Sequence, residues 1–146
     1  MADQTILLAE DDDMIRSFVS SVLQGHGYHV LPADNGMDAF LLAKQVGTHR
    51  VDLVLTDVDM PVLNGIQLVR RLKQLRPDLK ILYMTGHRRA LMDERWDEGM
   101  VIEKPFAYSA LVHAVQACLA EDNGVARMTA RAKELGNVRS RSFATL

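Results

Sequence analysis

The chain has 146 residues, of which 48% are hydrophobic and 25% are charged. This length and composition suit one ordinary globular domain with a buried core, and they exclude a multidomain enzyme and a disordered chain. The formal net charge is −2 and no basic stripe runs along the body of the chain, which argues against direct nucleic-acid binding.

Five short apolar runs are predicted to be strands, because each is bounded by turn residues and separated from the next by a longer amphipathic stretch. The predicted strands are 5–9, 28–32, 52–56, 80–84 and 101–102. The apolar residues of the third and fourth are continuous enough to predict burial on both faces of a parallel sheet.

Helical periodicity fills the gaps between these strands. The predicted helices are 14–23, 37–46, 66–75, 90–97 and 109–120. In the first of them Phe18 and Val22 share a face, Gly25 and Gly27 end the segment, and Asp12 or Asp13 is predicted to cap its beginning. Regular alternation of strand and helix predicts a parallel sheet with helices on both faces, a three-layer α/β/α sandwich.

The end of the chain differs from its body. Residues 122–146 contain five Lys or Arg against two Asp or Glu, and a turn signal precedes them at Asn123-Gly124. We predict one domain over residues 1–121 and a basic tail, partly helical or disordered, over 122–146. Because the tail is shorter than any ordinary domain, no output domain is expected there.

The expected location is the cytoplasm. The single cysteine, Cys118, cannot form an internal disulfide, and the acidic start has neither the basic nor the long apolar part of a signal peptide. The longest apolar run, 39–43, is far too short for a membrane span.

Polar groups follow four of the five predicted strands. Glu10 and Asp11 follow the first, Asp57 and Asp59 the third, Thr85 the fourth and Lys104 the fifth. Since ligands bind beyond the carboxyl ends of the strands in such sheets, these groups are candidates for one site. The peptide before Pro105 is predicted to be cis, directing Lys104 towards that site.

Three neighbouring carboxylates would repel one another unless a cation joined them. Two carboxylates about 4 Å apart repel by roughly 4 kcal/mol at an effective dielectric of about 20. Oxygen ligands without nearby His or Cys favour Mg²⁺, which commonly also binds a phosphate oxygen. Asp57 is therefore the candidate nucleophile that accepts a phosphoryl group, while Lys104 and Thr85 would contact the phosphoryl oxygens.

Taken together, these motifs resemble the two-component response-regulator receiver domain. The resemblance covers about residues 4–120 and uses 6–12 with Arg16, 57–61 with Gly65, Thr85-Gly86 and 104–106. Several motifs in the correct order make it specific. It implies a flavodoxin-like, doubly wound, five-stranded parallel sheet of order 2-1-3-4-5.

The resemblance also implies a role for each site residue. Asp57 would receive a phosphoryl group from the histidine of a sensor histidine kinase or a histidine phosphotransfer protein. Glu10 and Asp11 match the acidic pair that holds Mg²⁺, with Glu10 where Asp is more usual, and the backbone carbonyl of Asp59 would complete the protein ligands. Thr85 and Lys104 match the switch hydroxyl and the lysine.

As a member of that family the chain would be a signalling module of a phosphorelay and not an enzyme in the ordinary sense. It would take part in its own phosphorylation and slow dephosphorylation, and it would bind an unknown downstream protein through the face of the fourth helix, fifth strand and fifth helix. Val101 stands where the family commonly has Tyr or Phe, so we expect a smaller or differently placed rearrangement on phosphorylation.

A second reading is a haloacid-dehalogenase-like phosphatase with an aspartate nucleophile, because Asp57-Val58-Asp59 is followed by Thr85 and Lys104. Those enzymes place further metal carboxylates downstream of the nucleophile. Here the acidic pair Glu10-Asp11 lies upstream, at the first strand, which favours the receiver.

Overall fold

Strands and helices alternate between residues 5 and 85 in the computed structural model, which describes residues 3–86 and 100–120. The strands of this part are β1 (Thr5–Ala9), β2 (His29–Ala33), β3 (Leu53–Asp57), β4 (Ile81–Thr85) and β5 (Met100–Glu103). Its α-helices are α1 (Asp13–Gly25), α2 (Gly36–Val46), α3 (Gly65–Leu75) and α4 (Tyr108–Ala120), and a 3-10 turn covers Thr48–Arg50.

The described strands form one parallel sheet in the order β2-β1-β3-β4-β5. The register sets Ala9 beside Ala33 on one side and Thr56 on the other, and it sets Asp57 beside Met84. This confirms the predicted order 2-1-3-4-5. Because all strands run in the same direction, their carboxyl ends lie at one edge of the sheet.

Both faces of the sheet are covered by helices. On one face, the core of Ile6, Leu8 and neighbouring strand residues packs with Val19 and Leu23 of α1 and with residues of α4. On the other face, Leu7 and its neighbours pack with α2 and α3. Every residue of β3 and β4 is buried, which confirms the prediction that these two strands are buried on both faces. The three-layer α/β/α sandwich is confirmed.

Each of the first three helices begins at a side-chain cap. The carboxylate of Asp12 accepts the backbone N–H groups of Met14 and Ile15, which confirms the predicted cap of α1. Asn35 caps α2, and Asn64 forms a reciprocal capping box with Gln67 at the start of α3. These caps satisfy N–H groups that have no partner within the helix, and so they determine where each helix begins.

Several predicted boundaries need correction. β2, β3 and β4 are each shifted by one residue towards the carboxyl end. In β3 and β4 this is because backbone pairing continues to Asp57 and Thr85, after the apolar side chains end. β5 is longer than predicted, and the 3-10 turn was not predicted. The predicted helix 90–97 and the tail 122–146 lie outside the described residues. Within the described part, no helix has both the length and the apolar character that a membrane crossing needs.

Val62 has a strained backbone, with φ of 72° in the three-residue turn closed by Leu63 N–H and the Pro61 carbonyl. We expect Val62→Gly to raise the free energy of unfolding by about 0.5–1 kcal/mol, because relief of strain exceeds the entropy that glycine adds to the unfolded chain. Val62 is 79% exposed, so little burial is lost. Urea denaturation would measure the change. Val62→Ala keeps the Cβ atom and should gain much less, and an equal gain for both variants would contradict the strain argument.

Candidate functional site

The polar ends of four strands converge at the carboxyl edge of the sheet. Glu10 directly follows β1, Asp57 ends β3, Thr85 ends β4 and Lys104 directly follows β5. Glu10 and Thr85 are completely buried, and Asp57 is 6% exposed. Buried polar groups at the end of an otherwise apolar sheet are costly unless they have partners, so this edge is the candidate site.

The acidic cluster that the sequence predicted is present. Glu10, Asp11 and Asp57 each offer one carboxylate oxygen, and these oxygens lie within 4.8 Å of one another. Asp11 is exposed, so a cation can approach from solvent. An all-oxygen donor set of this size suits a hard divalent cation that keeps several of its waters. The residues present therefore fit Mg²⁺.

Lys104 bridges two of these carboxylates. Its Nζ lies 2.8 Å from Oε1 of Glu10 and 3.3 Å from Oδ2 of Asp57. The Lys104 N–H donates to the carbonyl of Thr85 at 2.8 Å, and the Lys104-Pro105 peptide is cis, as predicted. The lysine thus lies inside the site, as the sequence predicted, where it offsets part of the negative charge.

Burial and charge change the acidity of the site. The pKa of Asp57 is raised to about 7, mainly by burial and then by the charge of Glu10, while Lys104 opposes the rise. Burial acts to lower the pKa of Lys104, but its hydrogen bond to Glu10 and the charge of Asp57 outweigh burial and raise it. Lys104 alone therefore does not supply enough positive charge to offset the effects of burial and of Glu10 on Asp57.

For two of the predicted site residues, Asp59 and Thr85, the structure shows the position but not the predicted role. Asp59 is exposed, and its backbone N–H approaches Oδ1 of Asp57 at 3.3 Å, which places residue 59 at the rim of the site. Its carbonyl as a metal ligand stays a prediction. Thr85 lies beside Glu103 in the register of β4 and β5, and the role of its hydroxyl also stays a prediction.

The main chain of the phosphoacceptor candidate is fixed by a close neighbour. Gly65 begins α3, and its N–H donates to the carbonyl of Val58 at 2.8 Å. A Cβ atom at Gly65 would lie far inside van der Waals contact with the carbonyl of Asp57. The loop between β3 and α3 can therefore return across Asp57 only because residue 65 has no side chain.

We expect Gly65→Ala to lower the free energy of unfolding by about 1–3 kcal/mol, because the obstructing atoms are backbone and cannot move alone. Gly25→Ala is the matched control. It adds a Cβ atom in open space at the end of α1. This control should stabilise the chain by about 0.5–1 kcal/mol. Urea denaturation of both variants tests the argument, and loss of stability in Gly25→Ala alone would contradict it.

The structure adds contacts that sequence reasoning did not identify. Arg16 donates from Nη1 to the carbonyl of Glu10 at 2.8 Å, although the motif named Arg16 without a role. An arginine six residues after an acidic strand end, early in the next helix, is the signal that could have indicated this contact. Tyr83, which was not singled out, is buried beside Val101 in the register of β4 and β5. At this position of the sheet the aromatic side chain is therefore on β4, beside Val101 of β5.

Comparison with known proteins gives a consistent result. The sequence profile of the response regulator receiver domain matches residues 6–116. Response regulator receiver protein CpdR of Brucella abortus (strain 2308) is 38% identical over 117 residues, covering 78% of this chain and 95% of CpdR. Sensor kinase CckA of the same strain is 37% identical over 83 residues, which cover 57% of this chain but only 9% of the kinase.

Among solved structures, the receiver domain of sensor histidine kinase PA1611 from Pseudomonas aeruginosa PAO1 matches with a TM-score of 0.73 and 26% identity. The match covers 82% of this chain and all of that domain, which was crystallised with a magnesium ion in its active-site cleft. None of these comparisons supports the phosphatase reading.

Proposed function

Because this chain belongs to the response regulator receiver domain family of two-component systems, we propose that it accepts a phosphoryl group from a phosphohistidine onto Asp57. The observation that supports the proposal most directly is the position of Lys104, whose Nζ contacts both Glu10 and Asp57 in a buried acidic cluster. Structural ion pairs are common in proteins, but they do not require a third carboxylate at the same point.

In the proposed reaction, a carboxylate oxygen of Asp57 attacks phosphorus as the P–N bond of the donor phosphohistidine breaks. The electron pair of that bond goes to the histidine nitrogen, and the product is an aspartyl phosphate. The attacking group must be ionised, and the raised pKa of Asp57 means that near pH 7 it needs nearby positive charge.

Mg²⁺ would be held by the carboxylates of Glu10, Asp11 and Asp57 and by the backbone carbonyl of Asp59. When bound, it would offset the negative charge of the carboxylates and stabilise the charge that develops on the phosphoryl oxygens. Lys104 would contact a second phosphoryl oxygen from its position beside Asp57, and Thr85 would donate a hydrogen bond to a third.

The protein would act in the cytoplasm by changing its protein partners, with no turnover of external substrates and no direct contact with nucleic acid. The proposed donor is a sensor histidine kinase or a histidine phosphotransfer protein. The proposed downstream surface includes β5 and α4, together with residues outside the described part. Added negative charge at Asp57 would shift a pre-existing equilibrium between two conformations of that surface.

Intact mass measurement after incubation with Mg²⁺ and phosphoramidate tests the proposal. We expect the addition of one phosphoryl group, which is lost slowly and is absent when EDTA replaces Mg²⁺. Rapid and repeated hydrolysis of p-nitrophenyl phosphate, without a stable modified form, would instead support an aspartate-nucleophile phosphatase and contradict the proposal.

A further inference from the structure

Arg16 lies directly behind the acidic pair, near the start of α1. Its Nη1 donates to the main-chain carbonyl of Glu10 at 2.8 Å, and its Nη2 is paired with the carboxylate of Asp13. The Arg16 side chain is 22% exposed, so the contact with Glu10 is largely shielded from water. We propose that Arg16 is a positioning residue that orients the Glu10–Asp11 peptide for a divalent cation, an inference that rests on the function proposed above.

The carbonyl of Glu10 lies where the sheet ends. Ala9 is the last residue of β1 that is paired with both neighbouring strands. One more backbone hydrogen bond follows, from the Glu10 N–H to the carbonyl of Ala33 at 3.1 Å. After Glu10 the main chain leaves the sheet and continues to Asp12, which caps α1. A shielded carbonyl without a donor is costly, and the Arg16 guanidinium supplies that donor from the next element.

Further contacts fix the carboxylate of the same residue. Oε2 of Glu10 accepts the N–H of Asp12 at 3.0 Å, and Oε1 accepts a hydrogen bond from Lys104 at 2.8 Å. Glu10 is thus held at both its carbonyl and its side chain. The direction of the exposed Asp11 carboxylate depends on the peptide that joins it to Glu10. Rotation of this peptide would separate Asp11 from Asp57, and the contact with Arg16 opposes such rotation.

Positioning and simple charge have opposite effects on cation binding. As a nearby positive charge, Arg16 would repel a cation, and its removal would tighten binding. That effect is small because the charge of Asp13 is paired with the guanidinium. Hydrogen-bonded groups behind metal ligands typically change metal affinity by about 10-fold to 100-fold. The positioning role therefore predicts weaker binding when Arg16 is replaced.

Calorimetric titration with MgCl₂ tests this inference on the full chain. We expect Arg16→Met to weaken Mg²⁺ binding by roughly tenfold. Arg16→Lys keeps the charge and one donor group and should lose less. Asp13→Asn is the matched control. It removes the charge of a side chain that is 86% exposed but leaves the Glu10 contact. Its Mg²⁺ affinity should therefore fall by less than that of Arg16→Met, and only through the repulsion by the unpaired Arg16 charge. Urea denaturation in EDTA reports the stability of each variant separately.

Equal or tighter Mg²⁺ binding by Arg16→Met, with a wild type that binds, would overturn the positioning role and leave the proposed function intact. No binding by the wild type would overturn the proposed function itself. If Arg16→Met does not fold, Arg16→Lys decides the matter, because it keeps the charge and changes only the geometry of the donor. Weaker Mg²⁺ binding than in the wild type would then support the positioning role, and unchanged affinity would overturn it.

Discussion

Asp57→Asn should gain no phosphoryl group from phosphoramidate in the presence of Mg²⁺, whereas the wild type gains one. The amide is a far weaker nucleophile than the carboxylate, and it removes one of the three clustered carboxylates that would bind the cation. The fold should persist, since asparagine has nearly the same shape and neither the core nor the caps involve this side chain. Intact mass spectrometry measures the result directly.

Asp34→Asn is the matched control for this experiment. Asp34 is an exposed aspartate that directly follows β2 at the same edge of the sheet, and it lies outside the acidic cluster. It should be phosphorylated to the same extent as the wild type. Phosphorylation of Asp57→Asn would show that Asp57 is not the acceptor, and loss of phosphorylation in Asp34→Asn would show that the loss is not specific to Asp57.

Asp57→Asn should also stabilise the metal-free protein at neutral and alkaline pH. Burial and the charge of Glu10 raise the pKa of Asp57 from 3.8 to about 7 in the folded state. Between these values the folded chain keeps a proton that the unfolded chain releases, so wild-type stability falls as the pH rises through this window. Each pH unit corresponds to about 1.4 kcal/mol, which sets a ceiling of about 4 kcal/mol above pH 7.

Urea denaturation of wild type and Asp57→Asn in EDTA, from about pH 4 to about pH 8, measures this difference. The advantage of the variant should widen with pH and level off above about pH 7. Added Mg²⁺ should reduce it, because a cation bound by the folded state stabilises the wild type. A difference that does not change with pH would mean that Asp57 is ionised in the folded state at all these values.

The described elements were largely predictable because their signals are local. The apolar runs predicted β1 and β3, and helical spacing predicted α1, α2 and α3, with boundaries within a few residues. The errors at the ends of β3 and β4 occurred because backbone pairing continues beyond the apolar side chains. Thr85 was placed after its strand because a hydroxyl ends the apolar run, yet its backbone still pairs with β5.

The candidate site was also predictable in composition. Glu10, Asp11, Asp57 and Lys104 could be selected because parallel strands bring their carboxyl ends to one edge, whatever lies between them in sequence. The family resemblance then supplied the role of each residue. No local pattern could show that Nζ of Lys104 bridges Glu10 and Asp57, or that Arg16 donates to the carbonyl of Glu10.

The sequence by itself thus determined the alternation of strands and helices, the residues at the carboxyl edge and the family to which they point. Only the tertiary structure decided the burial of Asp57, its raised pKa, the requirement for glycine at position 65 and the contact made by Arg16. The physical reason is that hydrophobic spacing and turn chemistry act between near neighbours, whereas desolvation and close approach depend on groups that folding brings together from distant positions.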